Sequence, residues 1–436
     1  AENLDCWSDG GVVKAPFFLR VFGILQPRPV VLPGGLSWMP AFSESTEFIG
    51  GMKDTWVIDP TLGRSMTPGS NDLEADLIPS VLPAPSRVVE AIYWMARYLE
   101  RARNAAHQAG LLEGIRRTEL APADEEYYWP LWRGVASAAH FQPLLAFEDK
   151  PDSFPKLFRD FVGLRTDPSS VASGLSAARR NLDLIQEWVP PEVTEVFFQF
   201  LDEFEEFTEN GVPTNERDAH QACVVVSREH ARFTGVLERT LSHDAVYRFW
   251  VIGSSVEWAI GTTMLLESII PSRISLQERH LEDDTDLTAL LRLMGCLDAY
   301  RREYRSRAYL DRVIRLIWRK SELPGSFLFN LYRIRESLGE LEKSPKPKSY
   351  GSLNRKIATM IERIENFPIE EVFPARMSHL DFGKGSAKVH AVTLRRVAKE
   401  LKWIRSNLEQ IHELLEDRFF SHQERVEAFR DHRESE

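Results

Sequence analysis

One apolar stripe constrains this chain most, because it occurs twice. Val88, Ile92, Met95, Leu99, Ala102, Ala106 and Ala109 follow at alternating four- and three-residue steps. That spacing keeps them on one side of a long helix. Phe249, Ile252, Val256, Ala259, Thr263 and Leu266 repeat its last six positions 157 residues later. A second block returns at an offset of 156. Lys156-Leu-Phe-Arg159 faces Arg312-Val-Ile-Arg315, Pro168 and Ser170 face Pro324 and Ser326, and Leu175, Arg179 and Leu182 face Leu331, Arg335 and Leu338. Two distant blocks at nearly one offset predict an internal duplication, with halves at about 86–240 and 243–420. The period is too long for a solenoid, so two fused half-domains packed as a helical bundle are expected.

Further helices are predicted over Pro191–Thr208, Glu216–Leu241, Asp284–Tyr304 and Val392–Arg418. Breaks are expected at 211–213, 343–348 and 382–386. Ser86, after Pro85, reads as the N-cap of the first long helix. Residues 1–60 differ in character. Phe17–Leu25, Val30–Leu32 and Thr55–Ile58 read as short strands, with a turn at Pro33-Gly34-Gly35. They cannot bury a core alone. Recurring prolines mark 61–85 as a linker, and 423–436 is a charged tail expected to fray. The predicted fold is mainly all-α: a duplicated helical bundle with a short N-terminal β-containing segment.

The chain has 436 residues, 43% hydrophobic and 27% charged, which is ordinary globular composition. A net charge of -11 argues against nucleic acid as the main partner. Cys6, Cys223 and Cys296 are too far apart for a disulfide framework or a CxxC site, so a cytoplasmic setting is expected. The apolar runs are short and interrupted, so no membrane span is expected. No charged-then-apolar stretch follows Ala1, so no leader is expected, and the motifs below favour a truncated or excised start over simple removal of Met.

On the first long helix Arg97, Glu100 and Arg101 stand out. They are three and four residues apart, so they can share an ion-pair network. Buried in a groove between the halves, they could bind a carboxylate or phosphate bidentately. The plain alternative is a structural or solvated ion-pair face. Their counterparts at the 157 offset are Ser254, Glu257 and Trp258, so only a glutamate persists. Glu257 is expected to pair across to Arg97 or Arg101, at the pseudo-twofold axis. The eleven histidines contain no HExxH, and His220 and His230, ten apart, fall on different helix faces. No metal site is expected. The aromatic run 127–132 reads as core rather than a ligand box, and the acidic run Asp202–Glu209 as a solvated face.

The string Ser86-Arg-Val-Val-Glu-Ala-Ile-Tyr-Trp-Met-Ala-Arg-Tyr-Leu-Glu-Arg-Ala102 resembles the opening helix of alpha-E domains, with a Glu-Arg pair after an aromatic. Phe233–Thr240, Ala299–Arg305 and Glu409–Leu415 are also similar, so the resemblance covers about 86–422. At the N-terminus, Leu32-Pro-Gly-Gly-Leu36 and Gly50-Gly-Met-Lys-Asp-Thr-Trp-Val57 are similar to the final segment of circularly permuted ATP-grasp proteins, with Met52 where that family has Ser. The resemblance implies ATP and magnesium for a complete ATP-grasp domain, and no cofactor for the helical domain. It implies partners that include an ATP-grasp domain in cis or trans, transglutaminase-like and protease proteins, and a small peptide or amino-acid substrate. Arg20, Gly50, Gly51, Lys53 and Asp54 suit phosphate binding, since Lys and Arg neutralise charge and glycine admits backbone N–H groups. The plain alternative is a β-turn with a surface ion pair. An ATP-dependent carboxylate–amine ligase is expected only if the remaining ATP-grasp lobes are present. The reading is a component of an ATP-grasp-linked amide ligase system; the alternative is a non-catalytic helical scaffold that assembles partner proteins.

Overall fold

The computed structural model divides the chain into two units, residues 1–82 and 83–436. Side chains are described for 84–118, 128–208, 211–270, 286–343, 351–373 and 392–420. Backbone alone is described for the strands of the first unit and a few helix ends. The linker at 61–82 and the tail beyond 420 lie outside the described residues.

In the first unit β1 (Asn3–Ser8) pairs antiparallel with β2 (Gly11–Pro16). β3 (Phe18–Ile24), β4 (Val30–Trp38) and β5 (Met52–Trp56) form a three-stranded antiparallel meander. The turn expected at Pro33-Gly34-Gly35 is instead part of β4. Its extra residues are absorbed where the β3–β4 register shifts between Val21 and Gly23. A proline, which has no N–H for the ladder, is tolerated at such an irregularity.

The second unit is all-α. The first series of helices is α1 (Ser86–Thr118), α2 (Trp129–Ala139), α3 (Gln142–Leu145), α4 (Phe154–Gly163), α5 (Val171–Asp183), α6 (Pro191–Glu205) and α7 (Glu216–Thr240). The second is α8 (Ala245–Ser275), α9 (Thr285–Leu293), α10 (Leu297–Tyr304), α11 (Leu310–Arg319), α12 (Phe327–Glu342), α13 (Gly351–Glu365), α14 (Ile369–Val372) and α15 (Lys384–Leu415), ending in a π-helical turn at Glu416–Phe420. α1 and α8 pack on each other at the centre. Both predicted stripes are buried, from Val88 to Ala109 and from Phe249 to Leu266. α5 and α7 pack on α1, as α12 and α15 pack on α8. α6 packs on α7 as α13 packs on α15. α2 also leans on α8, and α9 on α1. The aromatics of 128–132 are core: Trp132 meets Phe154 and Phe158 edge-on.

The matched serines have a visible job. Ser170 Oγ accepts from Ser173 N–H at 3.1 Å, and Ser326 Oγ from Phe329 N–H at 3.2 Å. Each caps the helix that follows it, α5 or α12. A side-chain N-cap is worth about 1 kcal/mol.

Four further expectations are corrected. Ser86 is already helical, and the Pro85 carbonyl accepts from Val88 and Val89 N–H. Asp284–Tyr304 is two helices, because Gly295 takes a left-handed φ of 65° that stops α9 before α10 begins. α15 starts at Lys384, inside the stretch expected as a break. Ala245–Ile270 of α8 is long and apolar enough, by length and composition, to cross a membrane. In this fold 83% of its apolar window is buried, against α1, α2, α12 and α15.

Candidate functional site

The polar residues of α1 do not form a solvated face. α1 is contacted by α2, α5, α7 and α8, so most of its circumference is inside. Arg97 is 6% exposed and Glu257, on α8, is 3% exposed. Arg97 Nε donates to Glu257 Oε2 at 2.7 Å, and Arg101 Nε donates to Glu257 Oε1 at 2.5 Å. One carboxylate thus takes both guanidinium groups, and the pairing across the two long helices is present. Burial alone would raise the Glu257 carboxyl, but the Arg101 and Arg97 charges and hydrogen bonds outweigh it and hold it down at about 2. The triad therefore carries one net positive charge at neutral pH.

Arg97 is further enclosed by aromatic rings. Its guanidinium carbon lies 5.0 Å from the Trp94 ring centre and 5.8 Å from that of Tyr93. Its Nη1 is buried without a partner among the described residues. The Tyr93 hydroxyl lies 3.0 Å from His412 Nδ1, which ties α1 to α15. Burial pushes the Tyr93 phenol up to about 12, and burial with the Arg97 charge pushes the His412 imidazole down to about 4.

Glu100 does not join the Arg97–Arg101 network. Adjacent helical residues point about 100° apart, so Glu100 faces α7 while Arg101 faces α8. Its Oε1 accepts from Asn104 at 3.1 Å, Arg103 lies 3.7 Å away, and His230 Nε2 stands 3.7 Å from Oε2. Burial raises the Glu100 carboxyl, while burial and the Arg103 charge push His230 down to about 3. Both groups are drawn toward their neutral forms. The Glu-Arg pair thus connects α1 to α7 through its glutamate and to α8 through its arginine. Asn104, His230, Tyr93 and His412 had no local signal in the sequence; His412 is 319 positions from its partner. At the counterpart positions, Ser254 bonds its own helix at the Val251 carbonyl, and Trp258 stacks edge-on with Phe327.

Arg20 lies in β3 and Lys53 and Asp54 in β5, where Leu36 of β4 pairs with Arg20 on one side and Asp54 on the other. Their side chains, and Gly50 and Gly51 entirely, lie outside the described residues.

The buried histidines make stability depend on pH. Burial pushes His107 down to about 4, alongside His230 and His412, from an ordinary 6.5. Between pH 6.5 and about 4 the unfolded chain binds more protons at these sites than the folded one. Stability should therefore fall as pH falls through that window, by at most about 1.4 kcal/mol per pH unit for His230. Glu257 adds a further loss between about 4.5 and 2, whereas Glu100 acts in the opposite sense. Urea midpoints at pH 7, 6 and 5 should decline steadily, and His230→Gln should flatten the slope. Equal midpoints at all three would overturn this assignment.

The fold and site define an all-helical domain whose first helix presents a Glu-Arg pair, Glu100 buried and Arg101 partly buried, at the junction of its long helices. The chain belongs to the Alpha-E family, a predicted alpha-helical domain with a conserved ER motif, whose model matches residues 84–420. No curated protein and no solved structure matches the chain.

Proposed function

We propose that the helical unit handles substrate, or docks partner enzymes, in an ATP-grasp-linked amide ligase system, and that it arose by internal duplication. The observation that carries the site is the Arg97–Glu257–Arg101 triad, two of its members buried and the third partly so. Burying such charges is expensive, and hydrophobic residues of similar volume often stabilise as well or better. A triad with a net positive charge, beside an unpartnered Arg97 Nη1, suits a role in anion recognition. The ligase setting rests on the N-terminal strings Leu32–Leu36 and Gly50–Val57. There Arg20, Gly50, Gly51, Lys53 and Asp54 would contribute to holding ATP and magnesium. The duplication rests on the repeated order of helices and their parallel packing.

The test is amine-dependent phosphate release from ATP by the chain with ATP-grasp lobes supplied in cis or in trans. The expected result is stimulation by the wild-type chain and at least a tenfold loss on Arg97→Ala. Arg97→Lys, which keeps the charge, provides a fold-preserving comparison. Undiminished rates in folded variants would favour the scaffold reading, in which the unit assembles partners and binds no small molecule.

A further inference from the structure

Beside the triad, α1, α2, α8 and the turn at 293–295 enclose a cleft of about 50 Å³. That is space for a few water molecules or one small polar molecule, far short of a nucleotide. Arg101, Asn104 and Gln108 line it from successive turns of one face of α1, with Glu257 and Thr262 opposite.

Two of these groups are left incomplete by the protein. Arg101 is clamped through Nε to Glu257, yet neither of its terminal amino groups donates to a described residue. A guanidinium fixed at Nε presents those two groups as a planar fork, the geometry that receives a carboxylate bidentately. Gln108 is 7% exposed, and its Oε1 is buried without a partner among the described residues. A buried carbonyl oxygen left unpaired costs about 1–3 kcal/mol, so the position calls for an N–H donor.

Charge selects among anions. Glu257 is ionised and stands within 2.7 Å of both arginine Nε atoms, which leaves the triad a net charge of one; Arg103, also in the lining, is paired with Glu100 outside the cleft at 3.7 Å. A single carboxylate offsets the triad's charge at the fork, and the ammonium of a zwitterionic ligand then needs an acceptor of its own. A phosphate dianion would overshoot that charge and crowd Glu257. The remaining walls mix aliphatic groups, Val135, Ala138 and Leu293 among them, with Arg103, His107 and the Trp258 ring, so they leave room for a small side chain only.

We propose that this cleft binds a small α-amino acid, its carboxylate held by the terminal amino groups of Arg101 and its amino group donating to Gln108 Oε1. The choice of an amino acid over other monocarboxylates leans on the ligase reading; the carboxylate fork does not.

Calorimetric titration of the full chain, without ATP, tests it with alanine, alaninamide, acetate and inorganic phosphate. Alanine should bind saturably, and alaninamide and phosphate at least tenfold more weakly. Arg101→Lys, in protein that remains folded, should lose at least tenfold for alanine and acetate. Gln108→Leu should weaken alanine about tenfold and leave acetate unaffected. Equal binding of alaninamide, tighter binding of phosphate, retention in Arg101→Lys or no saturable binding by folded protein would each overturn the proposal. Should Arg101→Lys fail to fold, the alanine–alaninamide comparison on the wild type decides. Alanine binding without amine-dependent ATP hydrolysis would remove the ligase reading and leave the carboxylate site standing; the reverse outcome would remove the site alone.

Discussion

Glu257→Ala should destabilise the helical unit by about 3–5 kcal/mol, the usual cost of removing one partner from a buried ion pair. The substitution leaves two guanidinium groups facing each other without a counter-ion, one of them on a 6%-exposed residue. Like-charge repulsion adds to the desolvation penalty. Glu257→Gln should cost less, because its amide oxygen can still accept from one arginine. The combined variant Arg97→Met, Glu257→Leu, Arg101→Met removes all three charges together. It should recover most of the loss, since apolar replacement of a whole buried network is often neutral or stabilising. Urea denaturation with a two-state fit measures all three. A loss below about 1 kcal/mol for Glu257→Ala would mean that water reaches the triad and screens it.

The second large effect is at Gly253, where the usual expectation for a helix reverses. Within a helix Ala is about 1 kcal/mol better than Gly. A Cβ on Gly253 would lie 2.6 Å from the Tyr93 carbonyl oxygen and 3.0 Å from Ala96 Cβ. Backbone cannot move aside as a flexible side chain can, so overpacking of about 1–3 kcal/mol is expected. Gly253→Ala should lower stability. Gly261→Ala, on the same helix with nothing within 4 Å of its added Cβ, should raise it. Thermal melts that move both variants in the same direction would sink the explanation. Ala96 and Gly253 are 157 positions apart, the offset at which the two apolar stripes match, and α1 and α8 come close together there.

Much of the fold was legible because it rests on local periodicity. The stripes from Val88 and Phe249 define α1 and α8, and both are buried. Ser170 and Ser326, matched at the 156 offset, each cap the helix that follows them. The boundary between α9 and α10 was missed because Gly295 sits inside an otherwise helical pattern, and its positive φ is a property of the folded backbone. α8 defeated the reading of apolar runs because a helix at the centre of a bundle needs apolar residues on nearly every side, as a membrane helix does.

The site divides along the same line. Sequence by itself singled out Arg97, Glu100, Arg101 and Glu257, and showed that Ser254 and Trp258 stand 157 positions after the two arginines. It also set the expectation that Glu257 would reach across. Tertiary structure decided that Glu100 turns away toward His230, that Tyr93 and His412 close the far side, and that Gln108 Oε1 is left without a partner. The reason is physical. Spacing along one helix fixes which residues share a face, whereas the partner that face meets depends on how helices hundreds of residues apart pack.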